Sequence, residues 1–268
     1  MILVALFFLG LFFGSFANVV SLRINSGKKG IFLGNSVCPK CNHKLKFFEL
    51  IPVFSFLFLG GKCRKCKTKI SWQYPAVEIF FGLLFLSVGF FSTPIFVTPE
   101  NFYFFLWRLL ILFFLGILVI SDLRFFEIPD QISLPLIFIL LIFSIVSTFF
   151  YNITGIPKIL DGLLGTLIVV GFFLFLIVIS KGRWLGGGDL RLGAILGLSL
   201  GAKISFLCLF LSYFLGTIVM IPFLLFGKKS RNSMVPFGPF LAAGNFIGLF
   251  FGQEILQFYL NLIGLSVN

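Results

Sequence analysis

Apolar runs of membrane-spanning length dominate this chain. The opening "MILVALFFLGLFFGSFANVV" is 20 residues without a charge, and similar runs recur to the C-terminal region. Stretches of roughly 18 or more such residues read as spanning segments. Lipid offers the backbone no water to bond, so a spanning segment must be a helix or part of a closed barrel. The runs here do not alternate polar and apolar residues, which selects helices. The composition agrees: 59% hydrophobic and 11% charged, against about 45–50% and about 25% in soluble domains. The reading is an all-α polytopic membrane protein of about eight transmembrane helices, at 1–20, 76–93, 102–121, 132–150, 159–180, 189–201, 203–227 and 236–252. The sixth is short for a full span, and the last has room to continue into 253–264. No internal repeat stands out.

Lys and Arg number 21 against 9 Asp and Glu. That excess is not spread over one basic face with interleaved aromatics, so nucleic acid is excluded as a partner. The cations sit in the gaps between apolar runs, which is the positive-inside pattern. Arg23, Lys28 and Lys29 follow the first run; Lys181 and Arg183 mark a later gap, and Lys228, Lys229 and Arg231 another. These place the loops 21–75, 122–131, 181–188 and 228–235 in the cytoplasm and the N-terminus outside. The first run lacks a basic n-region and an A-x-A site, so it reads as an uncleaved helix rather than a signal peptide.

Loop 21–75 holds Cys38, Cys41, Cys63 and Cys66 as two C-x-x-C pairs, "CPKC" and "CRKC". Each pair closes a tight turn that aims two sulfurs at one point. Two pairs complete a tetrahedron with no open position, the signature of a structural zinc site. A cytoplasmic location argues against disulfides. A segment this small gains from a metal the stability its core lacks. His43, beside the first pair, reads as a bystander, and Cys208, inside a span, as packing.

The four aspartates are Asp122, Asp130, Asp161 and Asp189. Acids at membrane depth are costly and are functional candidates. Asp130, Asp161 and Asp189 also stand where a helix begins, so capping is an open alternative for each. Asp122 sits at the cytoplasmic end of the third helix, a poor place for an anion on its own helix. Asp189 opens the sixth helix at the same depth, behind Gly186, Gly187 and Gly188. Two carboxylates held close share one proton, which is the chemistry of an aspartic protease. Glycines beside them leave room for a peptide backbone.

Together these stretches resemble one family. "GGGD" fits the G-x-G-D motif of intramembrane aspartyl proteases. "GGGDLRLGAILGLSLG", "GSFANVVSLR", the cysteine pairs, "ISWQYPAVE", "SDLRFFEIPD" and "PFGPFLAAG" resemble the prepilin peptidases, in the family's order from Gly14 to about Gly244. The resemblance implies a bifunctional enzyme of the bacterial inner membrane. It cuts the basic leader of type IV prepilins and of type II secretion pseudopilins on the cytoplasmic side. It then methylates the new N-terminal amine from S-adenosylmethionine. Carried over by motif, Asp122 and Asp189 are the catalytic pair, and Asp130 with Gly186, Gly187 and Gly188 supports the site or the substrate's approach. Cys38, Cys41, Cys63 and Cys66 match the metal-binding loop of the bifunctional members. The expected domains are 1–20, a first transmembrane helix; 21–75, a cytoplasmic zinc-binding loop; and 76–268, the transmembrane peptidase. The basic loops are expected to rest on anionic lipid. Leu50 and Gly60 stand where the family often carries Asn and Arg, so a peptidase without methyl transfer stays open. A cation- or proton-coupled transporter remains the reading from another class. No glycine fingerprint marks an S-adenosylmethionine site.

Overall fold

The computed structural model describes residues 1–25, 36–92, 98–151, 155–225, 235–262 and 264. Lys28, Lys29, Lys228, Lys229 and Arg231 lie outside the described residues. The elements are α1 (Ile2–Asn25), α2 (Phe54–Phe58), α3 (Gln73–Phe91), α4 (Pro99–Phe125), α5 (Asp130–Val146, continued by a π-turn to Tyr151), α6 (Ile159–Ser180), α7 (Gly187–Leu225) and α8 (Gly238–Leu262). Among the described residues, seven helices are long and apolar enough to cross a membrane, α2 being the exception.

Seven and eight are reconciled by α7. The helices expected at 189–201 and 203–227 form one element, interrupted at Gly201 with φ 73° and ψ 175°. An unbroken helix would separate Gly193 from Tyr213 by about 30 Å. Yet Gly193 packs on Phe173 with 2.9 Å to an ideal Cβ position, and Tyr213 meets the adjacent Phe172 with ring centroids 6.1 Å apart. The chain therefore doubles back at Gly201. Segment 187–200 is one arm, about 21 Å long at helical rise and shorter than the hydrocarbon core; segment 202–225 is the other. Gly201 is needed on two counts. Its φ is left-handed, and the Asp161 carboxylate fills the place a side chain would take. Asp161 also accepts the Ala202 amide at 3.1 Å, so it caps the returning arm rather than only its own helix.

The described residues cluster into two compact units, Met1–Ile120 and Ser121–Asn268. In the first, α1 packs along α3. Lipid tails are as apolar as the side chains, so such helices associate through close fit of small residues. An ideal Cβ on Gly14 of α1 would lie 2.7 Å from the Glu78 Cα of α3, and one on Gly82 of α3 would lie 2.8 Å from the Phe7 ring. Phe81 and Phe85, both fully buried, build an aromatic core with Phe13 and Phe113. Two residues of the stretches quoted above, Glu78 of "ISWQYPAVE" and Asn18 of "GSFANVVSLR", lock this unit. Buried Glu78 accepts the Val53 amide at 2.7 Å, which ties the cysteine loop to α3. Asn18 donates to the Tyr74 carbonyl at 3.3 Å, which ties α1 to the start of α3.

In the second unit α7 is central, packed on α6, α8 and α5. Gly165 lies with 2.8 Å between its ideal Cβ and Gly201, and Gly197 with 2.5 Å to Gly165. Asn245 of α8 donates to Ser199 at 2.8 Å inside the unit. Gly197→Leu is expected to force α6 and α7 apart and to cost about 3 kcal/mol or more. Thermal unfolding in detergent checks it; an unchanged melting point would refute the close packing.

Candidate active site and metal centre

Asp122 sits one turn from the end of α4, 6% exposed. Its Oδ2 accepts the backbone amide of Gly238, the first residue of α8, at 2.8 Å. Capping thus does act on Asp122, contrary to the sequence expectation, because the helix end it serves is another helix's N-terminus. Gly238 has no room for a side chain: an ideal Cβ would be 2.6 Å from Asp122 Oδ2 and 3.2 Å from Leu192 Cδ1. Leu192 is one turn beyond Asp189 on α7. Gly238 therefore lies against both Asp122 and the second turn of α7. Asp189 is half-buried. Its Oδ2 accepts the Gly186 amide at 3.1 Å, and its own amide donates to the Gly186 carbonyl at 3.2 Å. The first bond is the N3 half of a capping box and the second a tight backbone turn from Gly186 to Asp189.

The three glycines differ. Gly186 and Gly187 are exposed, with nothing within 4 Å of an ideal Cβ. Gly188 packs on Ile128, with only 2.9 Å between an ideal Cβ at Gly188 and the Ile128 Cβ, so its missing side chain makes room for the turn between α4 and α5. That turn is pinned to α7 by Arg191. Its guanidinium donates to the Ile128 carbonyl at 3.0 Å and pairs with Asp130. Asp130 is the first residue of α5 and has found a cation rather than serving only as a cap. The ion pair is partly exposed and worth little to stability by itself. Its effect is on register: it holds the stretch after Asp122 against the stretch after Asp189.

Arg191 and Gly238 were not assigned roles from sequence. Gly238 stands in the quoted "PFGPFLAAG", so the signal was there without its meaning. Arg191 follows Asp189 by two residues, and nothing in sequence shows that its partner lies 61 positions away.

The four cysteines form a separate centre in the first unit. Two hairpin turns, 37–44 and 62–69, repeat one pattern. Cys38 donates to His43 O as Cys63 does to Thr68 O, and Asn42 and Lys67 return to the first cysteine of each pair. Asn42 and Lys67 both adopt left-handed φ, 54° and 58°, and each turn carries one bridge. This short repeat was missed in sequence because only the cysteines and Lys are common to both copies. The four Sγ atoms lie within 4.8 Å of one another, Cys38 and Cys66 at 3.8 Å. Zinc–sulfur bonds of about 2.3 Å in a tetrahedron need sulfurs about 3.8 Å apart, so the residues fit the metal. Amides of Cys41 and Lys40 hold the Cys38 thiol below its ordinary value. Thr68, through hydroxyl and amide, lowers Cys66 to about 6. For Cys41 an amide bond from His43 acts downward, but burial and the other three sulfurs together raise it to about 11. Four thiols cannot all ionise unaided; a bound cation would make all four thiolates. His43 pairs with Glu49 at 3.3 Å and stays outside the sulfur cluster.

Residues 8–91 match the bacterial peptidase A24 N-terminal domain and residues 109–221 the type IV leader peptidase family. Three proteins named prepilin leader peptidase/N-methyltransferase are similar along most of their length. The one from Bacillus subtilis (strain 168) is 33% identical over 260 residues, 96% of this chain and 97% of that protein. That from Pseudomonas aeruginosa is 31% identical over 96% of this chain and 92% of its own, and that from Aeromonas hydrophila 30% over 95% and 92%. No solved structure matches.

Proposed function

The chain belongs to the type IV leader peptidase family, and from that premise we propose that Asp122 and Asp189 are the aspartic pair by which it hydrolyses its substrate. It is a membrane protein that cleaves the leader from prepilins and methylates the mature N-terminus, the two activities in its relatives' name. The supporting observation is the shared seat of the two carboxylates: Asp122 on the Gly238 amide, and Asp189 one turn from the Leu192 that packs on the same glycine.

The steps follow from one shared proton. The ionised carboxylate takes a proton from water as the water oxygen attacks the scissile carbonyl carbon. The protonated partner gives its proton to the carbonyl oxygen. When the gem-diol collapses, the C–N bond breaks, the leaving amine takes a proton from the first acid, and the second regains one from the diol. The amides of Gly238 and Gly186 hold the carboxylates in place, and Arg191 with Asp130 keeps the turns that carry them in register. S-adenosylmethionine supplies the methyl group when bound, and the amine accepts it in its neutral form. Cys38, Cys41, Cys63 and Cys66 would hold a structural zinc.

Residues 76–268 act as the peptidase domain, 21–75 as the zinc loop and 1–20 as the first span. The loops rich in Lys and Arg face the cytoplasm of the bacterial inner membrane and rest on anionic lipid. Prepilins and pseudopilins both enter from that side. Gly186 and Gly187 leave the approach to Asp189 open. Gly187→Ala is therefore expected to keep the melting point, since its Cβ meets nothing, while kcat/KM falls about tenfold. An unchanged kcat/KM would remove Gly187 from the substrate's path. The function as a whole is tested by intact-mass analysis of a synthetic prepilin after reconstituted cleavage. Leader loss with one added methyl supports it; an uncut chain with folded enzyme refutes it.

A further inference from the structure

The cysteine loop holds an apolar stretch that neither the metal centre nor the carboxylate pair uses. Leu50 to Gly61, "LIPVFSFLFLGG", is twelve residues without a charge. A run that short does not span; it packs in a core or re-enters the membrane from one side. A core does not take it. On α2 only Phe56 is buried, with its ring against Trp72 at 4.7 Å between centroids. Phe54, Leu57 and Phe58 share the opposite face at spacings of three and four, and Phe58 is 86% exposed. Phe47 and Phe48, in the turn just before, are exposed as well.

The packing of α1 on α3 fixes how deep α2 lies. The two helices run antiparallel: Asn18 bonds to Tyr74, Gly14 lies on Glu78, and Gly89 lies on Leu6. At the level of Asn18 and Tyr74 the apolar part of both helices ends, on the side that carries the cysteine loop. Before Asn18, α1 has no charged side chain, and after Tyr74, α3 has only Glu78. Yet Phe54 stacks on Phe8 of α1, with centroids 6.4 Å apart and planes at 18°. Phe8 is ten residues from Asn18, about 15 Å along the helix and half the depth of a hydrocarbon core. The Val53 amide meets Glu78 in the second turn of α3, which gives that costly acid a partner at membrane depth.

The backbone of the stretch is equipped for hydrocarbon, where an unpaired amide finds no water. Ser55 donates to the Ile51 carbonyl, Leu57 to Val53, Leu59 to Ser55, Gly60 to Leu57 and Gly61 to Phe56. Phe54 donates to Pro52 at 2.6 Å across a γ-turn centred on Val53, with φ 62° and ψ −51°. That turn is strained for a β-branched residue and needs its surroundings to hold it; the Glu78 carboxylate does so. Charge is confined to the rims. Lys44 and Lys46 precede the stretch, Lys62 and Lys65 follow it, and all four are exposed. Glu49, beside it, is turned inward onto the Lys46 amide and His43.

We infer that α2 is a re-entrant wedge, which dips from the side of the cysteine turns into the acyl chains of the bilayer beside α1. Phe54, Leu57 and Phe58 lie against lipid, and the flanking lysines reach the anionic headgroups. The occupant is lipid because the apolar face continues the exposed row Phe8, Phe12 and Phe16 of α1, a spanning helix. The metal centre is thereby seated on the membrane face. This goes beyond basic loops resting on the surface, and it rests on the spans rather than on which residues are catalytic.

Photolabelling of wild-type enzyme in proteoliposomes tests the wedge without a substitution. Two phosphatidylcholine reagents are compared, one with a carbene precursor in the middle of an acyl chain and one with it at the headgroup, and labelled residues are mapped by peptide mass. The mid-chain reagent should label 54–58 within about threefold of residues 8–16 of α1, and the cysteine turns 37–44 and 62–69 at least about tenfold less. The headgroup reagent should favour the turns. Mid-chain label on 8–16 but not on 54–58, or label on 54–58 from the headgroup reagent alone, would overturn the wedge. Loss of the 54–58 label on adding a synthetic prepilin would assign the face to substrate, and its loss as protein is concentrated in the bilayer would assign it to a second copy; either result overturns the lipid assignment. No mid-chain label on 8–16 would refute the first span, and the wedge with it. Cleavage plays no part in the readout, so failure here is distinct from failure of the peptidase reading.

Discussion

Cys63→Ser is expected to strip the enzyme of its metal and to unfold the cysteine loop without dispersing the membrane helices. Cys63 is 5% exposed and one of four sulfurs within 4.8 Å. The loop's other structure is slight: a 3-10 turn, the five-residue α2 and two bridged turns. A structural tetrathiolate supplies on the order of 10 kcal/mol or more to such a module, far beyond what those elements provide. The lysines that crowd it, Lys40, Lys44, Lys62, Lys65, Lys67 and Lys69, repel one another, and a doubly negative zinc–thiolate centre offsets that repulsion. Glu78 binds the Val53 amide of the loop, so α3 loses one contact while α1 and α3 keep their glycine packing. Methyl transfer is expected to fall by at least about tenfold, with leader cleavage retained. Metal analysis, limited proteolysis at 36–70 and intact mass of the product report the three effects. A strong chelator acting on wild type should reproduce them. Full metal content in Cys63→Ser, or a metal-free enzyme that still methylates fully, would contradict the account.

The second large effect is at the carboxylates. Asp122→Asn and Asp189→Asn should each lower kcat by at least about 10³-fold with the fold intact. Asparagine still accepts a hydrogen bond from a helix N-terminus and is as good a cap as aspartate. The Gly238 and Gly186 amides therefore keep their partners, and only the exchangeable proton is lost. Alanine removes both. Asp122→Ala leaves the Gly238 amide unpaired in a buried setting, which costs about 1–3 kcal/mol. The contrast separates the two roles of one side chain: asparagine spares the melting point and stops cleavage, while alanine lowers both. If Asp122 were only a cap for α8, asparagine would leave cleavage near wild type.

Much of this was legible from the chain, and the rest had definite reasons to be hidden. The spans showed because lipid demands long uncharged helices. The grouping of the four cysteines showed because two C-x-x-C pairs leave little geometric freedom. The aspartates stood out as candidates because an acid at membrane depth is expensive. What hid was pairing at a distance. Asp122 was denied a cap by its position in its own helix, yet it caps α8, 116 positions on. Asp161 looked like a cap for α6 and also serves Ala202. Asp130 looked like a cap and holds Arg191. Each bond is local in space and remote in sequence, and no periodicity encodes it. The fold of α7 at Gly201 is intermediate: the break was expected near 201–203, while the reversal needed the packing of Gly193 and Tyr213 on neighbouring phenylalanines.

The decisive measurement is cleavage of a synthetic prepilin by Asp122→Asn and Asp189→Asn, each purified, reconstituted and shown to melt like wild type. Neither is expected to release the leader over a time in which wild type completes many turnovers. Leader release by either folded variant at a rate near wild type would remove that aspartate from the chemistry and leave it a helix cap.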